Sequence, residues 1–98
     1  MRYVWDPAKD AVNRRKHGLP LSAGIPALMD PSRYFWLDDR FEYDEDRWIT
    51  LGKNGPSILV VVSVEKERTG KDEEEIVRVI SVRKAVGAEN DWYYLGRI

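Results

Sequence analysis

The residues best suited to chemistry in this chain are basic or polar, and they fall near the ends of predicted elements. They are Asn13, Lys16 and His17, then Arg47, then Arg78, Ser81, Arg83 and Lys84. A guanidinium grips phosphate oxygens in a planar fork, and a lysine adds a compact charge beside it. Such a cluster suits a phosphodiester, above all the charge that builds on it during internal attack by a ribose 2′-hydroxyl. Arg83 and Lys84 lead as the phosphate and transition-state binders, set against the plainer reading of two solvated charges at a strand end. Arg78 lies among Ile76, Ile80 and Val82, where an arginine needs a partner or an open face. It either stabilises a pentavalent phosphate or pairs with a buried acid. Arg47 divides in the same way between catalysis and a salt bridge to the acidic stretch before it.

His17 is the one side chain whose ordinary pKa suits proton transfer near neutrality. Its place before Gly18 offers a second role, capping the last carbonyls of a helix, with Lys16 as companion in either case. Asn13 reads as helix-to-loop glue and Asp6 as a helix cap. Trp92, Tyr93 and Tyr94 could stack on bases, yet three successive helical residues cannot all face one way, so at least one should pack inward. The others suit a protein partner.

Other chemistries find no footing. The chain has no cysteine, which removes disulfides, thiolate metal sites and cysteine nucleophiles. It has no glycine-rich phosphate loop, and one histidine cannot build a multi-histidine zinc site. The acidic stretch at 38–46 lacks the glycine and oxygen spacing of a calcium loop.

The overall charge of −1 conceals a partition. Residues 38–46 carry six acids against Arg40, a net of −5, and residues 71–75 carry a net of −3. The remainder therefore carries +7, enough for a basic face if the acidic stretches are loop tips.

These residues need a scaffold, and 98 residues suit one domain spanning 1–98. Arg2 to Trp5 reads as a strand. Asp6-Pro7 starts a helix that His17-Gly18 closes, with Ala8, Ala11, Val12 and Arg15 as its inward stripe. A short second helix falls within Leu19 to Asp30, and strands follow at Arg33 to Leu37 and Arg47 to Lys53. Asn54-Gly55 is the strongest hairpin signal. Ile58 to Val64 is apolar on both faces and marks a central strand. After a charged turn at 65–74 comes a strand from Glu75 to Arg83, with Ile76, Arg78, Ile80 and Val82 on one face and Val77, Val79, Ser81 and Arg83 on the other. A final helix runs from Ala88 to about Leu95. The order β-α-α-β-β-β-β-α predicts an α+β fold, a mostly antiparallel sheet with helices packed on one face. No bilayer-length apolar run and no secretory signal is visible, which leads to the expectation of a soluble cytoplasmic domain without a membrane partner.

Trp5-Asp6-Pro7-x-Lys9, Asn13-x-x-Lys16-His17-Gly18 and Asp30-Pro31 resemble the opening of the BrnT family of toxins. Arg47-Trp48 with Gly52, the Leu59-Val60-Val61-Val62 strand and Arg78-x-Ile80-Ser81-Val82-Arg83-Lys84-Ala85 resemble its second half, in order and over nearly the whole chain. The resemblance implies a RelE-like fold and a ribonuclease toxin of a type II toxin–antitoxin pair, one that inhibits translation and requires no metal or other cofactor. It also implies a ribbon-helix-helix, BrnA-like antitoxin that neutralises the toxin and alone contacts operator DNA. In that setting Arg83, Lys84, Arg78, Arg47 and His17 form the expected catalytic set, with Lys16, Asn13 and Ser81 as RNA contacts. The competing expectation is a degenerate, non-catalytic toxin retained as a protein-binding module in operon control.

Overall fold

The computed structural model describes residues 1–40, 45–66 and 75–96. Much of the charged turn read at 65–74, and the middle of the acidic stretch at 41–44, lie outside the described residues. Along the chain run β1 (Arg2–Val4), α1 (Pro7–His17), a 3-10 turn (Leu21–Ala23), α2 (Gly24–Leu28), β2 (Tyr34–Leu37), β3 (Trp48–Asn54), β4 (Ser57–Lys66), β5 (Ile76–Lys84) and α3 (Ala88–Leu95). The strands form one sheet in the order β1-β5-β4-β3-β2. Only the β1–β5 pairing is parallel; the other three are antiparallel. The expected α+β order and mostly antiparallel sheet are therefore present.

β3 and β4 are joined through Gly55 and Pro56, with Asn54 paired to Ser57. The loop sits one residue later than Asn54-Gly55 suggested. Gly55 supplies the positive φ of 60° that a two-residue hairpin needs, and Pro56 cannot extend the ladder. β4 is central and buried on both faces: Leu59 and Val61 pack with Leu21, Ala27, Val79 and Val82, while Ile58 and Val60 pack with Ile49 and Leu51.

The helices do not share one face, contrary to the sequence expectation. The 3-10 turn and α2 cover the first of these clusters, with Trp5 and Leu19 flanking α1 on that side. Trp92 and Tyr93 of α3 cover the second, from the opposite side of the sheet. Alternation in a strand exposes two apolar faces on β3 and β4, and each must be covered. The side covered by the 3-10 turn and α2 is the α1/α2 face, and the side covered by α3 is the α3 face.

α1 departs from its predicted stripe. Val12 is 49% exposed, and Asn13 is the buried residue of the helix. The cause lies in the sheet edge. β1 reaches only Ile76 to Arg78, so the outer edge of β5 at Val82 needs other partners. Asn13 Nδ2 donates to the Val82 carbonyl (2.8 Å) and to the Leu19 carbonyl (2.8 Å), while its Oδ1 accepts from the Val82 N–H (3.1 Å). One amide thus substitutes for a missing strand. Replacing it with alanine should lower unfolding stability by about 2–3 kcal/mol, since buried backbone groups lose their partners. Urea unfolding of Asn13→Ala checks this, and a midpoint equal to that of the unaltered chain would refute it.

Candidate active site

β5 carries four of the eight sequence candidates, and an irregularity decides where they point. Val62 pairs with Ser81 but Ser63 pairs with Val79, so Ile80 is an extra residue in β5. Such a bulge shifts the phase of alternation. Val79 and Val82 consequently share the α1/α2 face. Arg78, Ser81 and Arg83 share the other, opposite Val64, Val62 and Val60. Simple alternation had separated Arg78 from Arg83; the bulge unites them. Arg47, immediately before β3, continues the alternation of Ile49 and Leu51 onto the same face, and its carbonyl accepts from the Asp38 N–H (2.7 Å).

The other four candidates are not brought there. Lys84 pairs with Leu59 and lies exposed on the α1/α2 side. Lys16, exposed, and His17, half-buried, end α1, which lies along the outer edge of β5. Gly18 at φ 72° closes the helix, its N–H donating to the Arg14 carbonyl. Asn13, expected as an RNA contact, is 4% exposed and its amide is engaged by Val82 and Leu19. Its polarity serves the fold, as the glue reading had it.

Each arginine on the α3 face with a described partner meets a carboxylate. Arg83 donates through Nη1 to Glu89 Oε1 (2.8 Å) and through Nη2 to Oε2 (2.7 Å). The Glu89 side chain is 16% exposed and also accepts from the Val86 N–H (3.0 Å), which fixes it at the start of α3. Arg78 Nη2 pairs with Glu45 Oε1, and its buried Nε finds no acceptor among the described residues. Asp38, its side chain 2% exposed, receives Arg40 Nε (2.9 Å) and Nη2 (3.0 Å). The Arg40 charge is felt at Arg83. Arg40, Glu45 and Glu89 were not singled out in the sequence. Two of them belong to a run that reads as a solvated acidic loop, and Glu89 looks like an ordinary first-turn acid.

The aromatic residues close the floor and one wall. Trp36 meets Trp92 edge to face with ring centroids 6.1 Å apart, and both pack on the Ile49–Val60 cluster. Tyr93 donates its hydroxyl to Asp30, which also accepts from the N–H groups of Lys53 (2.9 Å) and Ser32 (2.9 Å). Tyr94 is 64% exposed. Two of the three aromatic residues pack inward and one does not. A cavity of about 230 Å³ opens on the α1/α2 side among Tyr3, Arg33, Phe35, Trp48 and Glu65. It includes none of the arginines of the α3 face.

Hydrogen bonds from Arg83 hold the Glu89 carboxyl below its ordinary value, against the upward push of burial. The Leu21 N–H does the same for Asp10. Burial pushes Asp30 upward but is outweighed by the Tyr93 hydroxyl and the two N–H groups. The bond to Asp30 pushes Tyr93 up to about 12. Groups with depressed carboxyl values stabilise the fold fully above the ordinary carboxylate range and lose that contribution as pH falls through their folded values. Tyr93 acts oppositely, contributing below about 10 and losing its contribution as pH rises from there toward 12. Urea midpoints should therefore decline both below about pH 4 and above about pH 10. A midpoint flat from pH 7 down to pH 3 would contradict these carboxylate contacts.

Among the described residues, no three His, Asp or Glu side chains gather closely enough to hold a metal ion. No helix among them is long and apolar enough to cross a membrane. Residues 5–89 match the family model described as ribonuclease toxin, BrnT, of type II toxin–antitoxin system. Comparison with curated proteins finds no match.

Proposed function

The chain belongs to the BrnT family of type II toxin–antitoxin ribonuclease toxins, whose members imply an RNA substrate and an antitoxin partner, and from that premise we propose that its α3 face is the RNA-cleaving surface. The single observation carrying this reading is the β5 bulge, which sets Arg78, Ser81 and Arg83 on one face. Arg83 offers the N–H groups that Glu89 and the Lys84 carbonyl do not take, and Arg78 presents a side chain that is 33% exposed. Donors held before substrate arrives are the kind that stabilise charge developing on a phosphorane. Arg47 and Arg40 add positive charge to the rim, and Ser81 adds a hydroxyl. Cleavage is metal-independent on this reading, because guanidinium groups supply the charge a metal would. His17, Lys16, Asn13 and Lys84 stand outside the catalytic face.

The proposal extends to a RelE-like toxin fold, cytoplasmic action and inhibition of translation through RNA loss. It also extends to neutralisation by a ribbon-helix-helix antitoxin, which carries the contact with operator DNA. Purified protein incubated with RNA in excess EDTA tests the enzymatic core: RNA should be cut, and intact RNA after prolonged incubation would refute it. Growth arrest on expression alone, relieved by the neighbouring gene product, tests the toxin–antitoxin part.

A second reading draws on the ion pairs themselves. With Arg78 on Glu45 and Arg83 on Glu89, the face could be internally neutralised, leaving a binding module for operon control. Intact RNA together with tight antitoxin binding would select that reading.

A further inference from the structure

We propose that Glu89 is the proton acceptor for the attacking 2′-hydroxyl, an inference that rests on the ribonuclease reading above. A general base must stand within hydrogen-bond reach of the proton it removes, so it must share a face with the groups that hold the phosphate. His17, the residue with the most suitable ordinary pKa, ends α1, which lies along the outer edge of β5 and has no described contact with the arginines of the α3 face. Asp38, Glu45 and Glu89 are the carboxylates described as paired with arginines there. Asp38 is 2% exposed, so no substrate reaches it. Glu45 is 47% exposed and lies in a loop, where water screens its charge. Glu89 combines the required properties: it is 16% exposed, anchored at Oε1 by the Val86 N–H, and held in plane by the guanidinium of Arg83.

The arrangement places the base in the plane of the guanidinium that is to hold the phosphate. A guanidinium has five N–H groups, and Glu89 uses one on each terminal nitrogen. Nη1 also donates to the Lys84 carbonyl (3.3 Å), which leaves Nε–H and the second Nη2–H to address a phosphate. A phosphate bound there is next to the carboxylate, and its own 2′-oxygen lies between the two. The proton of the 2′-hydroxyl passes to a Glu89 oxygen as the O2′–P bond forms. The P–O5′ bond breaks, and the 5′-oxygen takes a proton from water. The products are a 2′,3′-cyclic phosphate and a 5′-hydroxyl, and Glu89 returns its proton to solvent. Contact with Arg83 keeps Glu89 ionised and ready to accept. A phosphate drawing on the same guanidinium loosens that contact and raises the basicity of the carboxylate when it is needed.

A purely structural role, capping α3 and tethering Arg83, makes a different prediction. Glu89→Gln keeps the shape and an oxygen for the Val86 N–H but removes the base and a negative charge beside the phosphate. Cleavage of RNA in EDTA should fall by about 100-fold or more. Binding of a 2′-deoxy oligonucleotide of the same sequence, which cannot be cut by this route, should be unchanged or tighter. Cleavage by Glu89→Gln at the rate of the unaltered protein overturns the inference, as does parallel loss of cleavage and binding in a folded variant. If Glu89→Gln fails to fold, Glu89→Asp decides. Its carboxylate is withdrawn by one methylene, and it should bind normally yet cleave at least roughly tenfold more slowly; unaltered cleavage overturns the proposal. If the unaltered protein leaves RNA intact, the ribonuclease reading itself has failed; if it cuts and Glu89→Gln cuts equally, only the assignment of Glu89 has.

Discussion

Arg83→Ala should cut RNA at least about 100-fold more slowly than the unaltered protein, the loss typical of removing a preorganised transition-state donor. Arg83 is the residue on which the most features converge. It stands on the α3 face because of the bulge, it is 38% exposed and so open to a ligand, and Glu89 fixes the plane of its guanidinium. The substitution also leaves the mostly buried Glu89 without its counter-ion, which lowers stability, so the rates belong beside a thermal melt. Lys84→Ala is the informative comparison. The two residues adjoin in sequence and carry the same charge, but Lys84 is exposed on the α1/α2 side. Its removal should change the rate by less than about threefold, as for a surface charge. Equal losses at both positions would mean that diffuse positive charge, not a built site, handles the RNA.

Gly52→Ala should be the most damaging small substitution in the fold, costing about 3 kcal/mol or more. A Cβ there would lie 2.1 Å from the Ala27 carbonyl oxygen, 2.7 Å from its carbon and 2.8 Å from Ala27 Cα. These are backbone atoms of α2, itself packed on the core, and they cannot turn aside. Relief would require α2 to lift from β3. In a domain of this size the loss corresponds to a drop in melting temperature of roughly 10–25 °C. Gly24→Ala provides the contrast: its nearest obstacles are methyl groups of Val82 (2.8 Å) and Val61 (3.1 Å), which can shift. The smaller effect should fall there. A Gly52→Ala protein that melts with the unaltered one would show that α2 does not seat on β3 as described.

Much of the scaffold was legible because local signals were strong. Asp6-Pro7 and His17-Gly18 bracket α1 as read: Asp6 Oδ1 accepts from the Ala8 N–H (2.8 Å) and Gly18 adopts the left-handed conformation. The double-sided apolarity of Ile58 to Val64 identified the central strand. What escaped depends on contacts between distant segments. The apolar stripe of α1 misled because Asn13, a polar residue, makes the bond to Val82 that no periodicity encodes. The residues of the candidate site were named in part, but their sidedness was not. Nothing in Ile76 to Lys84 announces that Ile80 is the extra residue, since a bulge is fixed by register with β4. Arg40, Glu45 and Glu89 were missed for the same reason: each gains significance only from the residue it meets across the fold.

The claim on which all else depends is that the sugar–phosphate chain lies on the α3 face and not along the basic end of α1. Backbone and side-chain NMR shifts of the labelled protein, titrated with a 2′-deoxy oligonucleotide, test it without requiring a cut. The predicted perturbations fall on the guanidinium groups of Arg78 and Arg83, on the Ser81 amide and on the Trp92 indole, with Lys16 and His17 unmoved. Shifts confined to Lys16, His17 and Lys84, with the β5 arginines silent, would contradict it.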